Sequence, residues 1–328
     1  MASWRRIIKM SLNIDLTKTY FTEPLSAHTT FRIGGYAEYF HVVRSLDDLK
    51  KIVQFANKKN IPIFIIGNGS NLLISDQGLN GITIKLGAGF TSITRNNNEI
   101  KVGAATSLSQ LLLYALKQSL TGVEFLWGIP GTFGGAVACN AGAFSQDIGS
   151  LIIKINGVLP NGKEITLNRN QLERMYRKVS IPNGFIITDG LLNLTYGEQK
   201  IIEQKIKEYQ DKRKKTQPNG ASAGSVFKNP PLVPAGRLID ENNLKGLKIR
   251  NAYISKKHGN FIINQDHAHF IDVYELIQII KSTVELKTDT ILEEEIQILP
   301  KARRWKNGKS KKTVRIRHWN NENRLCDC

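Results

Sequence analysis

Two spacings of apolar residues alternate along the chain. Residues 38–44 (EYFHVVR) form a short strand-type run. Ser45-Leu46-Asp47-Asp48 follows with the pattern of a helix start, and Leu49, Ile52, Val53 and Ala56 continue at helical spacing. Ile61-Pro62-Ile63-Phe64-Ile65-Ile66 is a continuous apolar run that suits a buried strand, and it ends in Gly67-Asn68-Gly69-Ser70-Asn71. Strand, helix, strand and glycine loop in that order predict an α/β or α+β unit that delivers a loop to a ligand.

A second block repeats the logic. Ile82–Leu86 and Glu99–Ala104 read as strands, and Ser107-Leu108-Ser109-Gln110 is a capping-box pattern. It opens a helix with Leu108, Leu111, Leu112, Ala115 and Leu116 inward, and Gly122 is placed to end it. Gly128-Ile129-Pro130-Gly131-Thr132-Phe133-Gly134-Gly135-Ala136 and Asn140-Ala141-Gly142-Ala143 come next, and strands return at Ile152–Val158, Lys163–Leu167 and Gly184–Tyr196. Residues 199–215 predict a charged helix with Ile202, Ile206 and Tyr209 on one stripe, read as the hinge into a further domain. That domain holds a helix near Pro234–Glu241, a strand at Asn260–Asn264, a helix at Asp272–Lys287 and a closing strand at Thr290–Leu299. The expected organisation is an N-terminal extension (1–19), a two-part domain (20–200, divided near 86), a second domain (201–300) and a basic tail (301–328).

Composition changes this picture in one respect. The 328 residues include 46 Lys+Arg against 28 Asp+Glu, a formal net charge of +18. Such an excess can signal nucleic acid, a membrane surface or acidic ligands. Its distribution decides: residues 301–328 carry +8 and residues 1–10 carry +3, which leaves +7 for the body. That remainder suits phosphate-bearing small ligands, and no specific nucleic acid partner is expected. A polyanion-binding role stays open only for the tail, where Trp305 and Trp319 flank the charge. No apolar run approaches 18 residues, so no membrane span is expected, and Ile7-Ile8 is too short for a signal peptide. Met10 is an alternative start. Three cysteines, Cys139, Cys326 and Cys328, make no disulfide framework, and a reducing cytoplasm is the expected location.

Two glycine-rich loops after strands are the strongest chemical signal. Glycine lets successive backbone N–H groups converge on an anion. Neither loop is G-x-G-x-x-G and neither carries a P-loop lysine, which disfavours those nucleotide sites. Paired on tandem blocks, each with an adjoining asparagine (Asn71, Asn140), they point to a large diphosphate cofactor. Glu293 and Glu295 share one face of the closing strand, opposite Leu292, Ile296 and Ile298. By residue type alone Arg177 is a surface arginine in a basic stretch, Ser225 a turn serine and Glu295 part of a solvated acidic face. His267 and His269 form H-x-H with no third ligand at useful spacing, and a strand-edge pair is expected in place of a metal site. Cys139, among glycines and alanines, reads as a packing residue.

Taken in order, HTTFRIGG (28–35), GNGSNLL (67–73), GIPGTFGGA (128–136), NAGAF (140–144), Tyr176-Arg177 with Ser180, GSVFKNP (224–230), AGRLID (235–240), LKG (244–246), NFIIN (260–264) and Leu292-Glu293-Glu294-Glu295 resemble the UDP-N-acetylenolpyruvoylglucosamine reductase family. The resemblance runs through about residues 20–298. It implies an α+β fold: a two-part FAD-binding domain of the vanillyl-alcohol-oxidase (PCMH) type, then an α+β substrate-binding domain. It also implies non-covalent FAD, NADPH as hydride donor, and reduction of UDP-N-acetylglucosamine-enolpyruvate to UDP-N-acetylmuramate for bacterial peptidoglycan synthesis. The stretch between Tyr253 and Ile262 leaves no room for an inserted capping loop, which places the resemblance with the shorter subclass. Another oxidoreductase on the same flavin fold is the alternative, and the GSVFKNP and Glu295 motifs at the substrate end argue against it.

Site residues follow from the same resemblance. Gly67, Asn68, Gly69, Ser70, Asn71, Gly128, Ile129, Pro130, Gly131, Thr132, Gly134, Gly135, Ala136 and Asn140 are the implied cofactor contacts. Arg177, Ser225 and Glu295 are the implied catalytic residues. Arginine offers a fixed, charged fork for a carboxylate, the serine matches the family's proton donor to C2, and the glutamate can orient them. Lys215, Lys228, Asn229 and His258 are the implied contacts to the UDP diphosphate region. Two departures stand out: Ile249-Arg250-Asn251-Ala252 where the family shows small glycines, and Pro300 where a glycine usually ends the last strand.

Overall fold

A computed structural model describes residues 19–300. Residues 1–18 of the N-terminal extension and the basic tail, with Cys326 and Cys328, lie outside the described residues, while Thr19, expected to belong to that extension, begins the first strand. The first lobe contains β1 (Thr19–Pro24), β2 (Tyr36–Val43), α1 (Leu46–Lys59), β3 (Ile63–Ile65), β4 (Leu72–Ile74) and β5 (Leu79–Leu86). Its sheet runs β1-β2-β5-β3, with β1 antiparallel to β2, and β5 parallel to both β2 and β3. The Ser45 hydroxyl accepts the Asp48 N–H at α1's start, and Asn60 closes the helix in the left-handed region (φ 54°). Leu49, Ile52, Val53 and Ala56 bury their stripe against Tyr39, Val43, Ile82 and Ile84. The 61–66 run is not a wholly buried strand. Only residues 63–65 pair, at the edge of the sheet, and Ile65 is 41% exposed where it lines a cavity.

Antiparallel pairing builds the second lobe from β6 (Ile93–Asn96), β7 (Glu99–Gly103), α2 (Leu108–Lys117), α3 (Phe133–Ala138), β8 (Ile152–Val158), β9 (Glu164–Asn168) and β10 (Ile186–Asn193), in the order β9-β8-β10-β7-β6. The capping box of α2 forms as the sequence predicts, with Ser107 and Gln110 satisfying each other's backbone N–H. Gly122 does not end that helix. Ser119 (φ 53°) takes the left-handed position directly after the Gln118 cap. Along α4 (Gln199–Thr216), Ile206 and Tyr209 pack on this lobe's core, so the predicted hinge helix is seated on what precedes it.

The third lobe comprises α5 (Ala235–Glu241), β11 (Lys248–Ile249), β12 (Ala252–Ile254), β13 (Ile262–Asn264), α6 (Phe270–Thr288) and β14 (Gln297–Leu299). Val273, Leu276, Ile277, Ile280 and Val284 of α6 pack in one cluster with Ala252, Ile254 and Ile262, and with Phe31, Ile33 and Leu73 from the first lobe. The predicted closing strand is shorter than expected. Only Gln297–Leu299 forms a ladder, parallel to β4, while Glu294 makes a single bridge to Phe227. Ile249–Ala252 closes a tight hairpin with Arg250 at φ 46°, and Arg250 reaches Asp272 (2.9 Å) of α6. The H-x-H pair is not on a strand edge: His269 is the N-cap of α6.

Side-chain amides and hydroxyls clip the first lobe to the third. Asn264, buried, donates to the Phe31 carbonyl (2.9 Å) and accepts the Ala268 N–H (2.9 Å); Thr30 Oγ1 donates to the Ser222 carbonyl (2.7 Å). Asn264→Leu leaves both buried backbone partners unsatisfied. It is expected to lower unfolding free energy by about 2–4 kcal/mol, read as a lower urea midpoint with the slope unchanged.

Candidate active site

Both glycine loops open on one cavity of about 730 Å³ between the lobes. Gly67, Asn68, Gly69, Ser70 and Asn71 line it from the first lobe; Gly128, Ile129, Pro130, Gly131, Thr132, Gly134, Gly135 and Ala136 line it from the second. Close approach of backbones explains two of the glycines. Gly69 has φ 61°, and a Cβ there would stand 2.1 Å from the His28 carbonyl oxygen; a Cβ on Gly134 would stand 2.8 Å from Ala104 Cβ. The backbone N–H groups of Asn68, Gly69, Ser70 and Asn71 find no acceptor among the described residues. An open cavity walled by glycine backbone with unpaired donors fits a diphosphate-bearing cofactor such as FAD.

Asn140 differs from the other implied cofactor contacts, because it does not line the cavity. Its buried amide donates to the Met175 carbonyl (3.0 Å) and accepts the Gly149 N–H (3.0 Å). Asn140 therefore holds the hairpin Arg174–Met175/Lys178–Val179, whose turn carries Arg177 at φ 58°. Asn71 lines the cavity and also pins the opposite wall: its Nδ2 donates to the Glu295 carbonyl (3.0 Å) and its own carbonyl accepts the Gln297 N–H (2.8 Å).

Arg177, Ser225 and Glu295 meet in this cavity. Arg177 Nε lies 2.7 Å from Glu295 Oε1, with the side chains only 20% and 17% exposed. The Nε–H is not aimed along that line, so the contact is a close ion pair without an aligned hydrogen bond. Segment 225–228 runs between two neighbours. Ser225 bridges Phe261, Val226 N–H donates to the Asn260 carbonyl, and the Val226 carbonyl accepts the Glu295 N–H (2.8 Å). Asn260, buried, locks Phe227 through both ends of its amide. Burial pushes the Glu295 carboxyl above the usual carboxylate range, against the opposing pull of Arg177 and then Lys228. The Cys139 thiol also lines the cavity, and burial pushes it up to about 11, so it stays protonated at neutral pH.

The implied diphosphate contacts are placed less directly, and none of the four lines the cavity. Lys215 is exposed on the last turn of α4. Lys228 pairs with Glu293 (3.0 Å), and Asn229 accepts the N–H of Ala235 (3.1 Å) at the start of α5. His258, half-buried, accepts the Asn260 N–H at Nδ1 (3.2 Å), and burial, then Lys245, lowers its pKa.

Comparison with known proteins decides the family. Residues 216–299 match the UDP-N-acetylenolpyruvoylglucosamine reductase C-terminal domain, and residues 37–168 match an FAD binding domain. The UDP-N-acetylenolpyruvoylglucosamine reductase of Desulforamulus reducens is 40% identical over 295 residues, 89% of this chain and 95% of its own. That of Clostridioides difficile is 39% identical over 279 residues, 84% of this chain and 92% of its own. The chain belongs to the UDP-N-acetylenolpyruvoylglucosamine reductase family. The crystal structure of the Thermus caldophilus reductase superposes with TM-score 0.75 at 35% identity, covering 86% of this chain and 98% of that one. As a member of this reductase family the protein is an FAD-dependent oxidoreductase, with a two-part FAD-binding domain followed by an α+β substrate-binding domain.

One cavity cation was not singled out by the sequence. Arg213 of α4 lines the site, yet in the run DKRKKT it is indistinguishable from solvated neighbours. The signal lies in helical phase: Arg213 is four residues after Tyr209 on the helix's packed stripe.

The Glu295 shift gives a stability test of this reductase's site. A buried carboxyl with a raised pKa binds its proton more tightly in the folded state, so the folded protein loses stability as pH rises through that pKa. Glu295→Gln removes the titration. The thermal midpoint of Glu295→Gln minus that of wild type is expected to increase from pH 4.5 to 8; a decrease would show that the ion pair with Arg177 outweighs burial.

Proposed function

We propose that the protein passes reducing equivalents from NADPH through FAD to the enolpyruvyl group of UDP-N-acetylglucosamine-enolpyruvate, forming UDP-N-acetylmuramate in the bacterial cytoplasm for cell-wall synthesis. The observation that carries this reading is the convergence of Arg177, Ser225 and Glu295 with two glycine loops on one cavity. Its family relatives bear the name of that reaction. No helix among the described residues is long and apolar enough to cross a membrane.

The two glycine loops (67–71 and 128–136) would hold FAD, which would supply hydride chemistry at the substrate's C3. The residues of the chain handle what remains: negative charge that develops toward the carboxylate, and a proton needed at C2. Arg177, held by its turn and by Glu295, presents a permanent positive charge to that carboxylate. Ser225 sits on a segment fixed by backbone bonds on both sides, and its hydroxyl is the proton donor to C2. Glu295 orients Arg177 through their 2.7 Å contact. Arg213 adds a second positive charge for an anionic part of the ligand. The third lobe's Lys228, Asn229 and His258, with Lys215, are assigned to the diphosphate side of the substrate.

The purified protein is expected to be yellow and to oxidise NADPH only when the enolpyruvyl substrate is present. Ser225→Ala should leave NADPH-dependent flavin bleaching within about twofold of wild type. Reoxidation by substrate should slow by about 10²–10⁴, the usual worth of a positioned proton donor. Stopped-flow absorbance of each half-reaction separates the two; equal slowing of both halves overturns the assignment of Ser225.

A further inference from the structure

Arg213 reaches the cavity without a carboxylate to hold it. Among the described residues it forms no ion pair: Nη1 donates to Gln217 Oε1 (3.3 Å), Nη2 donates to the Phe125 carbonyl (3.3 Å), and the buried Nε has no acceptor. Burial disfavours its charge, and so does the like charge of Arg177. Both effects favour a guanidinium that swings out to water. Something other than charge pairing keeps it in.

Beside it lies a pair of stacked rings. Phe144 lies parallel on Tyr209, with centroids 4.3 Å apart and planes 8° from parallel. Arg213 Cζ sits 5.4 Å from the Phe144 centroid, and Lys212 Nζ covers both rings at 5.8 and 5.7 Å. Tyr209, Lys212 and Arg213 are i, i+3 and i+4 on α4, so one helix face presents the ring and both cations. The opposing ring comes from a two-residue turn: Gly142–Ala143 pairs with Gln146–Asp147, and Phe144 and Ser145 both have positive φ, 54° and 62°. Such a turn favours Asn, Asp or Gly, and a phenylalanine there is locally unfavourable. Gly128 (φ 74°) leaves the remaining gap, since a Cβ there would come within 3.0 Å of Arg213 Cδ.

We propose that the Phe144–Tyr209 stack is the positioning device for Arg213. The rings hold the guanidinium in the cavity wall by cation–π and face contact, and they leave its charge unneutralised for a ligand oxyanion. A carboxylate partner would fix the arginine equally well but would offset part of its field at the ligand. Phe144 and Tyr209 are thus positioning residues acting through Arg213. The inference rests on reading the cavity as a site for anionic groups. The oxyanion it serves is a diphosphate or a carboxylate.

The test uses the full-length protein loaded with FAD, titrated with inorganic pyrophosphate and, separately, with pyruvate, followed by the change in flavin absorbance. Whichever probe Arg213→Gln weakens identifies the oxyanion. Phe144→Asn and Tyr209→Leu are expected to weaken the same probe by about 3- to 30-fold, the range of a desolvated cation–π contact. Phe144→Tyr and Tyr209→Phe, which keep the rings, should stay within about twofold. The double variant Phe144→Asn/Arg213→Gln should bind no more weakly than Arg213→Gln alone. Asparagine suits the positive φ, so Phe144→Asn should melt at or above the wild-type temperature while binding more weakly, which a merely structural ring would not do. The proposal is overturned if neither probe responds to Arg213→Gln, if the losses multiply in the double variant, or if Phe144→Asn lowers the melting temperature with binding unchanged. Failure of the reaction assignment shows elsewhere, as a wild-type protein that binds FAD and the probe but does not oxidise NADPH with the enolpyruvyl substrate.

Discussion

The close contact between Arg177 and Glu295 is the constraint around which the site is arranged. One member stands on a hairpin of the second lobe and the other on the segment that leads into β14, and both are mostly withdrawn from water. Desolvating two charges is expensive, and their attraction at best roughly balances it, so the pair contributes little to folding. The scaffold has to hold it instead. Asn140 grips the Arg177 hairpin at Met175, Arg177 itself takes a left-handed backbone, and Asn71 and Val226 grip Glu295 by its main chain. Each gripping group is a short amide or a backbone unit, which fixes position without adding charge.

Such an arrangement explains why the cofactor loops and the catalytic residues cannot be treated as separate modules. Asn71 belongs to the first glycine loop by sequence, yet its amide and carbonyl stitch the Glu295 segment in place. Asn140 follows the second glycine loop, yet it turns away from the cavity to support Arg177. The two asparagines that adjoin the glycine loops therefore couple a backbone cradle to an ion pair.

The parts legible in the sequence were those fixed by local rules. The start of α1, the capping box of α2 and the glycine loops depend on residues three or four apart, and they form where the sequence places them. The parts misread depend on distant partners. Ile61–Ile66 looks buried because it is apolar, but the strand is an edge and Ile65 faces the cavity. Residues 292–296 look like a strand because they alternate, but they are held by Val226, Phe227 and Asn71 in place of a ladder. Gly122 looks like a helix stop, and Ser119 takes that position three residues earlier. Arg213 was invisible for a related reason: its neighbours in sequence are solvated lysines, and only a ring about seventy residues upstream distinguishes it.

The pairing of β14 with β4 has a consequence for the growing chain. Leu72, Leu73 and Ile74 are buried in the finished fold, and the strand beside them is Gln297–Leu299, made some 225 residues later. At bacterial translation rates of roughly 5–20 residues per second, the first lobe spends on the order of ten seconds or more emerging from the ribosome with an apolar strand edge uncovered. Only when β14 leaves the exit tunnel can that edge be sealed and Glu295 be drawn against Arg177. The enzyme's cavity is thus completed by nearly the last of the described residues to be synthesised, and a nascent chain released early would present a sticky edge in place of an active site.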